Sequence, residues 1–485
     1  MRLIFERGAP GRHGVALPRP DVPAAPVLDA RWRRVEPAAL PEVSELDVVR
    51  HYTRLSQENF SVDTNFYPLG SCTMKYNPKF TEVVAGLEGF RDLHPLLPQL
   101  EQGCLLTQGA LEVIHSLERL LCEITGMRAF TSQPMAGAHG ELTGIMLVAA
   151  YHRAKGRKRT HVLVPDSSHG TNPSSAAIAG YETRTIQTDA RGVMDLGKFR
   201  AALNDETAAV MLTCPNTLGI FESRIAEIAH IAHERDALMY CDGANMNAII
   251  GRVRPGDIGF DVVHLNLHKT LATPHGGGGP GAGPVGCGAK LEPFLPVSRV
   301  VRRTDGSFFL DYDRPDTIGY IAPFYGNFGI LLRAYAYLLL LGREGLAKVS
   351  EHAVLNANYV RVKLRDVFDF PYDRICMHEC VASASRQAAR GVQAIDIAKA
   401  LIDRGFHPPT VYFPLIVKEA MMIEPTETES RETLDSFVAA MREIAALADR
   451  DPEAVRRAPE KTRIRHPDET RAAREAKLRW IPGAP

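Results

Sequence analysis

Two ionisable residues follow apolar runs where a buried charge would be costly without a partner or a chemical task. Lys269 follows VVHLNLH and comes shortly before a stretch with six glycines, GGGGPGAG. Asp242 ends the run ALMYC. A lysine amine that loses its proton can condense with an aldehyde. A carboxylate can hold a protonated ring nitrogen.

Two further stretches complete a binding site of the same kind. QPMAGAHGELTG places small residues, among them Ala138, and His139 where a helix should open. Free N–H groups and the helix dipole favour an anion such as phosphate there. DSSHGTNP places His169 after another apolar run, where its imidazole could lie against a ring.

A phosphate cradle, a stacking imidazole, a carboxylate and a lysine together predict a site for pyridoxal 5'-phosphate (PLP). The glycines after Lys269 destabilise regular structure by roughly 0.5–1 kcal/mol each relative to alanine. We therefore interpret them as a loop whose bare backbone leaves the lysine free to move.

Each part also has a simpler interpretation. An aspartate after a strand is often a helix cap, and a single histidine is often a hydrogen-bonded loop residue. His264 and His268 have the spacing of a metal pair, and CMHEC (376–380) carries two thiols and an imidazole, but neither has the remaining ligands of a metal site. GAGPVG (281–286) matches a dinucleotide motif but has a proline where the helix should begin. We expect no metal and no dinucleotide.

The composition places these residues in an ordinary globular protein. The chain has 485 residues, 45% of them hydrophobic, and a formal net charge of +0. This balance predicts no attraction to nucleic acid or to a membrane. No apolar run reaches the ~18 residues of a membrane span, and the N-terminus MRLIFERGAP lacks the apolar region of a signal peptide, so we expect a cytoplasmic protein. The eight cysteines contain no C-x-x-C pair and are expected to be reduced thiols.

The elements around the site predict an α/β fold. Short apolar runs at HVLVP, AAVMLT, ALMYC and DVVHL alternate with helical stretches, which is typical of a mostly parallel sheet with helices on both faces. Ligands bind such sheets beyond the carboxyl ends of the strands, where His169, Asn216, Asp242 and Lys269 fall.

We expect four regions along the chain: an N-terminal arm and active-site loop (1–90), a large PLP-binding domain (91–330), a smaller C-terminal α/β domain (331–450) and a basic tail (451–485). The arm should contain one helix near Val43–Gln57. The smaller domain should contain strands at Val411–Val417 and Ala420–Ile423. Its last helix should run from Ser430 to Leu447, with Thr426 and Glu429 as a capping box.

Several motifs together resemble the glycine decarboxylase family, the P-protein of the glycine cleavage system, over about residues 50–450. They are HLNLHKT with GGGGPGAGP, DSSHGTNP, FYPLGSCTMKYNP and EPTETES. The resemblance implies the fold-type I architecture of PLP-dependent enzymes. Since only the C-terminal, lysine-bearing half of the single-chain form is matched, it also implies the second subunit of the split form.

The resemblance implies individual roles for residues of this chain. Lys269 corresponds to the lysine that bonds to PLP, Asp242 to the partner of the pyridine nitrogen, and His169 to the residue stacked on the ring. Further cofactor contacts are implied for Ala138, His139, Asn216, Thr217, His268 and Thr270. Ser71, Cys72, Thr73 and Lys75 belong to a loop that the family places near the active site, with no individual roles.

The implied reaction is decarboxylation of glycine, with transfer of the aminomethyl group to the lipoyl arm of the H-protein and release of CO2. The implied partner is a homologous subunit 1, in an α2β2 assembly. Two alternatives remain open at this point. One is another fold-type I enzyme, such as an aminotransferase or amino-acid decarboxylase, with Arg404 or Arg431 holding a substrate carboxylate. The other is a structural subunit without cofactor.

Overall fold

The computed structural model describes residues 2–23, 26–36, 38–100, 103–276 and 280–481. The chain divides into two compact units. One unit comprises the residues before Asn65 and after Thr462, and the other is Asn65–Thr462. The four regions expected from the sequence remain a prediction.

The first unit has little regular structure. It contains the helices α1 (Glu45–Gln57) and α15 (Glu469–Arg474) and the short 3-10 helices Ile4–Glu6 and Ala30–Trp32. Ser44 caps α1 by accepting a hydrogen bond from Asp47 N, and Asp47 bonds back to Ser44 N. This capping box explains why the helix predicted near Val43–Gln57 begins where it does.

The second unit is built around a seven-stranded sheet with the order β1-β7-β6-β5-β4-β2-β3. All neighbouring strands from β6 to β3 pair in parallel, and β7 is antiparallel to both β1 and β6. The strands are β1 (Ala129–Thr131), β2 (His161–Pro165), β3 (Glu182–Ile186), β4 (Thr207–Thr213), β5 (Leu238–Gly243), β6 (Val262–Leu265) and β7 (Val285–Cys287).

Helices connect and cover these strands. They are α2 (Phe80–Ala85), α3 (Glu88–Arg91), α4 (Gly103–Leu106), α5 (Gln108–Thr125), α6 (Gly137–Ala154), α7 (Thr171–Ile178), α8 (Leu196–Ala202), α9 (Ile225–Glu234) and α10 (Phe328–Leu364), with 3-10 turns at Leu97–Gln99, Pro255–Ile258 and Glu292–Phe294. Gly342, with φ of 58°, interrupts α10. A two-stranded ribbon, β8 (Arg299–Arg302) and β9 (Phe308–Asp311), lies between β7 and α10 in sequence.

Different helices cover the two faces of the sheet. Met239 and Cys241 of β5 pack in one hydrophobic cluster with residues of α5 and α9. Leu238 and Tyr240, which alternate with them, pack in another with residues of α6 and α7. Strands buried on both faces read as continuous apolar runs. The predicted α/β fold, with a mostly parallel sheet between helices, is confirmed.

A second hydrophobic core lies around a smaller antiparallel sheet with the order β10-β12-β11. Its strands are β10 (Cys380–Ser383), β11 (Thr410–Val411) and β12 (Ala420–Ile423), and its helices are α11 (Ser385–Ala388), α12 (Ala394–Ile402), α13 (Arg431–Arg450) and α14 (Pro452–Arg456). The strand predicted at Ala420–Ile423 is confirmed.

Two expectations for this region are wrong. The strand predicted at Val411–Val417 ends at Val411, because Tyr412 has a left-handed φ of 58° and Pro414 has no N–H to donate. The capping box predicted at Thr426 and Glu429 does not cap α13. Ser430 caps that helix by accepting a hydrogen bond from Thr433 N.

All eight cysteines are free thiols, as expected. Within the described ranges, every helix is too short or too polar to cross a membrane.

The contact of α6 with the sheet yields a stability prediction. A Cβ added at Gly144 would lie 2.4 Å from Cε2 of Tyr240, whose side chain is fully buried. Alanine is the better helix former by about 1 kcal/mol. We nevertheless expect Gly144→Ala to lower the thermal midpoint, because overpacking costs about 1–3 kcal/mol and outweighs that gain.

Gly109→Ala in α5 is the matched control. The nearest atom to its added Cβ would be 3.7 Å away, an ordinary contact. This variant should unfold at the wild-type midpoint or slightly above it. Equal midpoints for the two variants would contradict the predicted packing.

Candidate active site

A cavity of about 200 Å³ lies beyond the carboxyl ends of β4, β5 and β6. It brings together residues that are far apart in sequence, including Lys269 and Asp242. Seven of the nine predicted site residues line it: Ala138, His169, Asn216, Thr217, Asp242, His268 and Lys269. Lys269 and Asp242 therefore line the same cavity.

Asp242 is a buried carboxylate at the end of β5. Its Oδ1 accepts a hydrogen bond from Ala244 N at 3.1 Å, and its Oδ2 accepts one from Thr213 Oγ1 at 3.3 Å. Burial acts to raise the pKa of Asp242, but His264, Lys269 and the Ala244 N–H outweigh it. The pKa lies below its ordinary value, so Asp242 is ionised at neutral pH.

Glu141, which the sequence analysis missed, is a second carboxyl beside Asp242. It is 4% exposed and lines the cavity from the second turn of α6. Burial, together with the charge of Asp242, raises the pKa of Glu141 to about 8. Glu141 therefore holds a proton at neutral pH. Its position three residues after Ala138, on the same helix face, was the signal available in the sequence.

His264 lies between these carboxyls. Its Nε2 is 3.3 Å from Asp242 Oδ1 and 3.8 Å from Glu141 Oε1, and its Nδ1 is 3.2 Å from the Tyr240 hydroxyl. Burial lowers the pKa of His264, although the charge of Asp242 acts in the opposite direction. The structure thus places His264 behind Asp242, as a neighbour that shapes its environment.

His169 is joined to Glu141 through Thr171. The Thr171 hydroxyl lies 2.8 Å from both His169 Nδ1 and Glu141 Oε1. Thr171 N also donates to His169 Nδ1, at 3.3 Å, and the imidazole meets the Phe413 ring edge-on. These contacts fix the plane of His169, as a residue that stacks on a ring requires.

The first turn of α6 points into the cavity. Gly137 and Ala138 line it, and Ala136, the residue before the helix, offers no side-chain cap. The first N–H groups of a helix have no acceptor within the helix, and they favour an anion. A Cβ at Gly137 would lie 2.5 Å from the amide of Asn266, so a larger residue there would require the Asn266 side chain to move.

Two predicted site residues lie outside the lining. His139 turns back on its own helix entry, where its Nδ1 accepts a hydrogen bond from Met135 N at 3.3 Å. The Thr270 hydroxyl accepts one from Met246 N at 2.9 Å. Their contacts with a cofactor remain predictions.

Asn216 and Thr217 line the cavity but use their polar groups locally. The Asn216 amide donates to Gly192 O at 2.7 Å and accepts from Leu218 N and Ile220 N. The Thr217 hydroxyl donates to Ser167 O at 2.5 Å. They shape the turn after β4, and a bond from either to a ring hydroxyl remains a prediction.

The glycines after Lys269 have a packing role. Gly277–Gly279 lie outside the described residues. At Gly283, an added Cβ would lie 2.1 Å from Ala136 O, and Gly283 N donates to Pro134 O at 2.8 Å. Because Gly283 has no side chain, the segment that leads into β7 can pack directly against the backbone just before α6. The segment that follows Lys269 therefore lies close to the start of α6.

Lys75 of the Ser71–Lys75 loop supports the turn that carries Lys269. Its Nζ donates to Glu427 Oε1 at 2.6 Å, to Thr270 O at 2.7 Å and to Asn247 Oδ1 at 3.2 Å. Burial opposes the charged form, but Glu427 outweighs it and raises the pKa of Lys75. The residue after Lys269 is thus held by a buried ion pair.

The residues present fit PLP on the evidence of their unused polar atoms. Among the described residues, buried atoms at or just behind the cavity wall that have no hydrogen-bond partner include Glu141 Oε2, His264 Nε2, Asn266 Oδ1, His268 Nδ1 and His378 Nδ1. Burial, with His275 and Lys269 nearby, lowers the pKa of His268 to about 3. Neutral polar groups, an ionised carboxylate and a helix N-terminus match a ligand with a phosphate and a protonated ring.

The fold is that of the fold-type I PLP-dependent enzymes. Solved structures of this class resemble the chain in fold. Glycine decarboxylase (P-protein) of the glycine cleavage system, in inhibitor-bound form, matches 84% of this chain and 92% of its own, with a TM-score of 0.69 and 22% identity. A cysteine desulfurase from Thermococcus onnurineus NA1 matches 81% and 96%, with a TM-score of 0.58 and 15% identity.

Sequence comparison identifies the particular family. Residues 349–461 match the family model of the glycine dehydrogenase C-terminal domain, and residues 139–279 match that of class-V aminotransferases. A probable glycine dehydrogenase (decarboxylating) subunit 2 of Listeria innocua is 54% identical over 99% of this chain and 98% of its own. One from Bacillus cereus is 54% identical over 100% and 98%. The chain belongs to the glycine dehydrogenase (decarboxylating) subunit 2 family.

The raised pKa of Glu141 predicts how stability depends on pH. An ordinary glutamate titrates near 4.3, so the folded state binds this proton more tightly than the unfolded state. The resulting stabilisation is complete below pH 4 and is lost as the pH rises to about 8. Glu141→Gln lacks this titration, so its thermal midpoint should rise relative to wild type between pH 5 and pH 8. Parallel curves for the two proteins would contradict the assignment.

The Lys75–Glu427 pair predicts a large loss of stability on truncation. Their side chains are 1% and 8% exposed. Lys75→Met leaves Glu427 buried without its cation, which typically costs about 3–5 kcal/mol. For a protein of this size we expect a fall in the thermal midpoint of about 3–6 °C.

Arg442→Met provides the control, since Arg442 and Asp366 form an exposed pair. Exposed pairs contribute about 0–1 kcal/mol, so its midpoint should stay near that of wild type. If Lys75→Met unfolds at the same midpoint as Arg442→Met, the buried pair does not stabilise the folded protein.

Proposed function

We propose that this chain is the lysine-bearing subunit of a glycine decarboxylase. With a homologous subunit 1, in an α2β2 assembly, it decarboxylates glycine and transfers the aminomethyl group to the lipoyl arm of an H-protein, releasing CO2. The observation that carries the proposal is that Lys269, Asp242 and His169 line one cavity. They do so in a chain 54% identical, over nearly its full length, to relatives named for glycine decarboxylation.

PLP is the proposed cofactor, and each wall of the cavity has a part in holding it. Lys269 would bond to it covalently, Asp242 would pair with its ring nitrogen, and His169 would stack on its ring. The first turn of α6 at Ala138 would bind its phosphate, with His268 beside Lys269 as a neutral neighbour. When bound, PLP accepts the electron pair that decarboxylation leaves on the substrate carbon.

The chain's own residues set the charge state that this chemistry needs. Asp242 keeps a negative charge because a backbone N–H, a threonine hydroxyl and a nearby lysine stabilise it. Glu141 stays protonated beside it, so the site carries one carboxylate charge and not two. His169 is held in one orientation by Thr171. Lys75 holds the carbonyl next to Lys269 and so limits the movement of the backbone that carries the amine.

The aminotransferase alternative has less support. Arg404, proposed to hold a substrate carboxylate, donates to Glu443 and to Ala400 O. Arg431 is largely exposed and pairs with Asp435. The class-V aminotransferase match covers only residues 139–279, a region whose fold many such enzymes share. A structural subunit without cofactor would have no use for a lysine and an ionised aspartate in one cavity.

The test of the proposal is the bond at Lys269. Co-expressed with subunit 1, the wild-type complex should be yellow, and borohydride should fix the cofactor to Lys269, as read by peptide mass spectrometry. Lys269→Ala should remove both the colour and the label. The wild-type complex should also exchange labelled bicarbonate into glycine when lipoylated H-protein is present, whereas Lys269→Ala should not.

Lys290→Ala is the matched control, because Lys290 is exposed and lies outside the cavity lining. It should keep the colour, the label and the exchange activity. A label found on any other lysine of wild-type protein would overturn the assignment. A coloured complex that transaminates glycine without bicarbonate exchange would favour the aminotransferase alternative.

A further inference from the structure

The cavity has a second wall, which is formed by segments of the chain other than those that carry Lys269 and Asp242. It is formed by His378 and Glu379, directly before β10, and by Ser71 of the Ser71–Lys75 loop. None of these three was assigned a role by the sequence. His378 and Glu379 are 3% and 2% exposed, so their contact with the cavity is their main access to any ligand.

The backbone around Glu379 is tightly held. Met377 N donates to Gly219 O at 2.7 Å, and a Cβ at Gly219 would lie 2.0 Å from Glu379 O. Gly219 has a φ of 72°, in the left-handed region that favours glycine. The turn after β4 and the start of β10 are therefore in direct contact, and the Glu379 side chain is fixed at the cavity.

A second glutamate stands next to Glu379 because of the register of the smaller sheet. Cys380 pairs with Ile423 in antiparallel register, so the residues just outside that pair, Glu379 and Glu424, are neighbours. Glu424 accepts hydrogen bonds from Thr73 N at 3.0 Å, Thr73 Oγ1 at 2.6 Å and Asn245 Nδ2 at 2.8 Å. Glu424 is thus surrounded by hydrogen-bond donors of Thr73 and Asn245.

Glu379 carries the proton. Its Oε2 accepts a hydrogen bond from Ser71 N at 2.8 Å, and its Oε1 lies 3.7 Å from His378 Nε2. Burial, with the nearby Glu424, raises the pKa of Glu379 well above its ordinary value. Burial also lowers the pKa of His378, whose Nδ1 has no hydrogen-bond partner. This wall thus offers neutral hydrogen-bond donors.

The lining has no guanidinium to complement these groups. Among the described residues that form it, none is an arginine, and Lys269 is the one lysine. Since Lys269 is committed to the cofactor in the proposed function, the lining that this chain provides holds no other lysine or arginine for a substrate carboxylate. Within this lining, the carboxylate must accept hydrogen bonds from neutral donors, because burying a charge without any partner is costly.

We infer that His378 and Glu379 receive the carboxylate of glycine through neutral hydrogen bonds, and that this binding without a countercharge favours its loss. The inference rests on the proposed function. Neutral donors can hydrogen-bond to a carboxylate, but they leave its negative charge uncompensated, whereas a guanidinium would neutralise it. The carbon–carbon bond to the carboxylate breaks, CO2 leaves uncharged, and the electron pair stays with the remaining carbon and the cofactor. The negative charge of the carboxylate decreases as this bond breaks. The site therefore stabilises the transition state more than the bound substrate.

The test compares glycine with methylamine, which is glycine without its carboxyl group. Equilibrium binding of each is measured by calorimetry on the PLP-loaded complex with subunit 1, without H-protein. Glu379→Leu and His378→Leu should each weaken glycine binding about tenfold or more, because a hydrogen bond to a charged group is lost. Methylamine binding should change less than about twofold. Glu443→Leu, a surface change, should leave both affinities at wild-type values.

Glu379→Gln adds a pH readout that a structural role would not move. Besides Glu424 and His378, the ionisable groups near Glu379 include Lys269, Cys72, Cys376 and Cys380. Wild-type Glu379 loses its proton as the pH rises through its raised pKa, and the new charge repels the substrate carboxylate. The amide of Glu379→Gln keeps a neutral donor, so its glycine affinity should persist to higher pH than that of wild type.

Three results would overturn the inference. The first is wild-type glycine affinity in Glu379→Leu and His378→Leu. The second is an equal loss for glycine and methylamine, which would mean a general disturbance of the site. The third is a pH profile of glycine binding in Glu379→Gln that is the same as in wild type. If circular dichroism shows that Glu379→Leu does not fold, His378→Leu and this pH profile decide the question. Failure of the proposed function is distinguishable, because the wild-type complex would then exchange no bicarbonate into glycine, whether or not it binds glycine.

Discussion

The negative charge of Asp242 is the constraint around which the candidate site is arranged. A buried carboxylate is costly, and the structure stabilises this one with two hydrogen bonds and with a nearby lysine. A second carboxyl next to it, Glu141, can exist only because it keeps its proton. Substitution of Glu141, His264 or Lys269 would therefore change the pKa of Asp242.

The sequence was sufficient for the parts of the fold that rest on uninterrupted apolar runs. The runs HVLVP, AAVMLT and ALMYC became β2, β4 and β5, because a strand covered by helices on both faces tolerates few polar residues. It was also sufficient to bring Lys269, Asp242 and His169 to one edge of the sheet, since parallel strands end on the same side. What failed was local: the left-handed Tyr412 ends β11 early, and no alternation of residue types announces such a turn.

The residues that the sequence could not assign depend on contacts between distant segments. Lys75 reads as an ordinary surface lysine in a turn-rich loop, yet it is buried against Glu427, more than three hundred residues later. Glu379 sits in CMHEC, which looked like half of a metal site, and its role emerges only beside Ser71 and Glu424. Such partners are defined by tertiary packing and not by spacing along the chain.

The meeting of Gly219 with the backbone of Glu379 has a consequence for how such a site can change over time. The groups that suit a cofactor belong to the large sheet, whereas those that suit a substrate belong to the start of a small strand, and one glycine joins the two. Evolution could therefore replace the small strand's side chains and alter which amino acid is accepted, while the machinery inherited by the whole enzyme class stays intact. Position 219 itself would be among the slowest to vary.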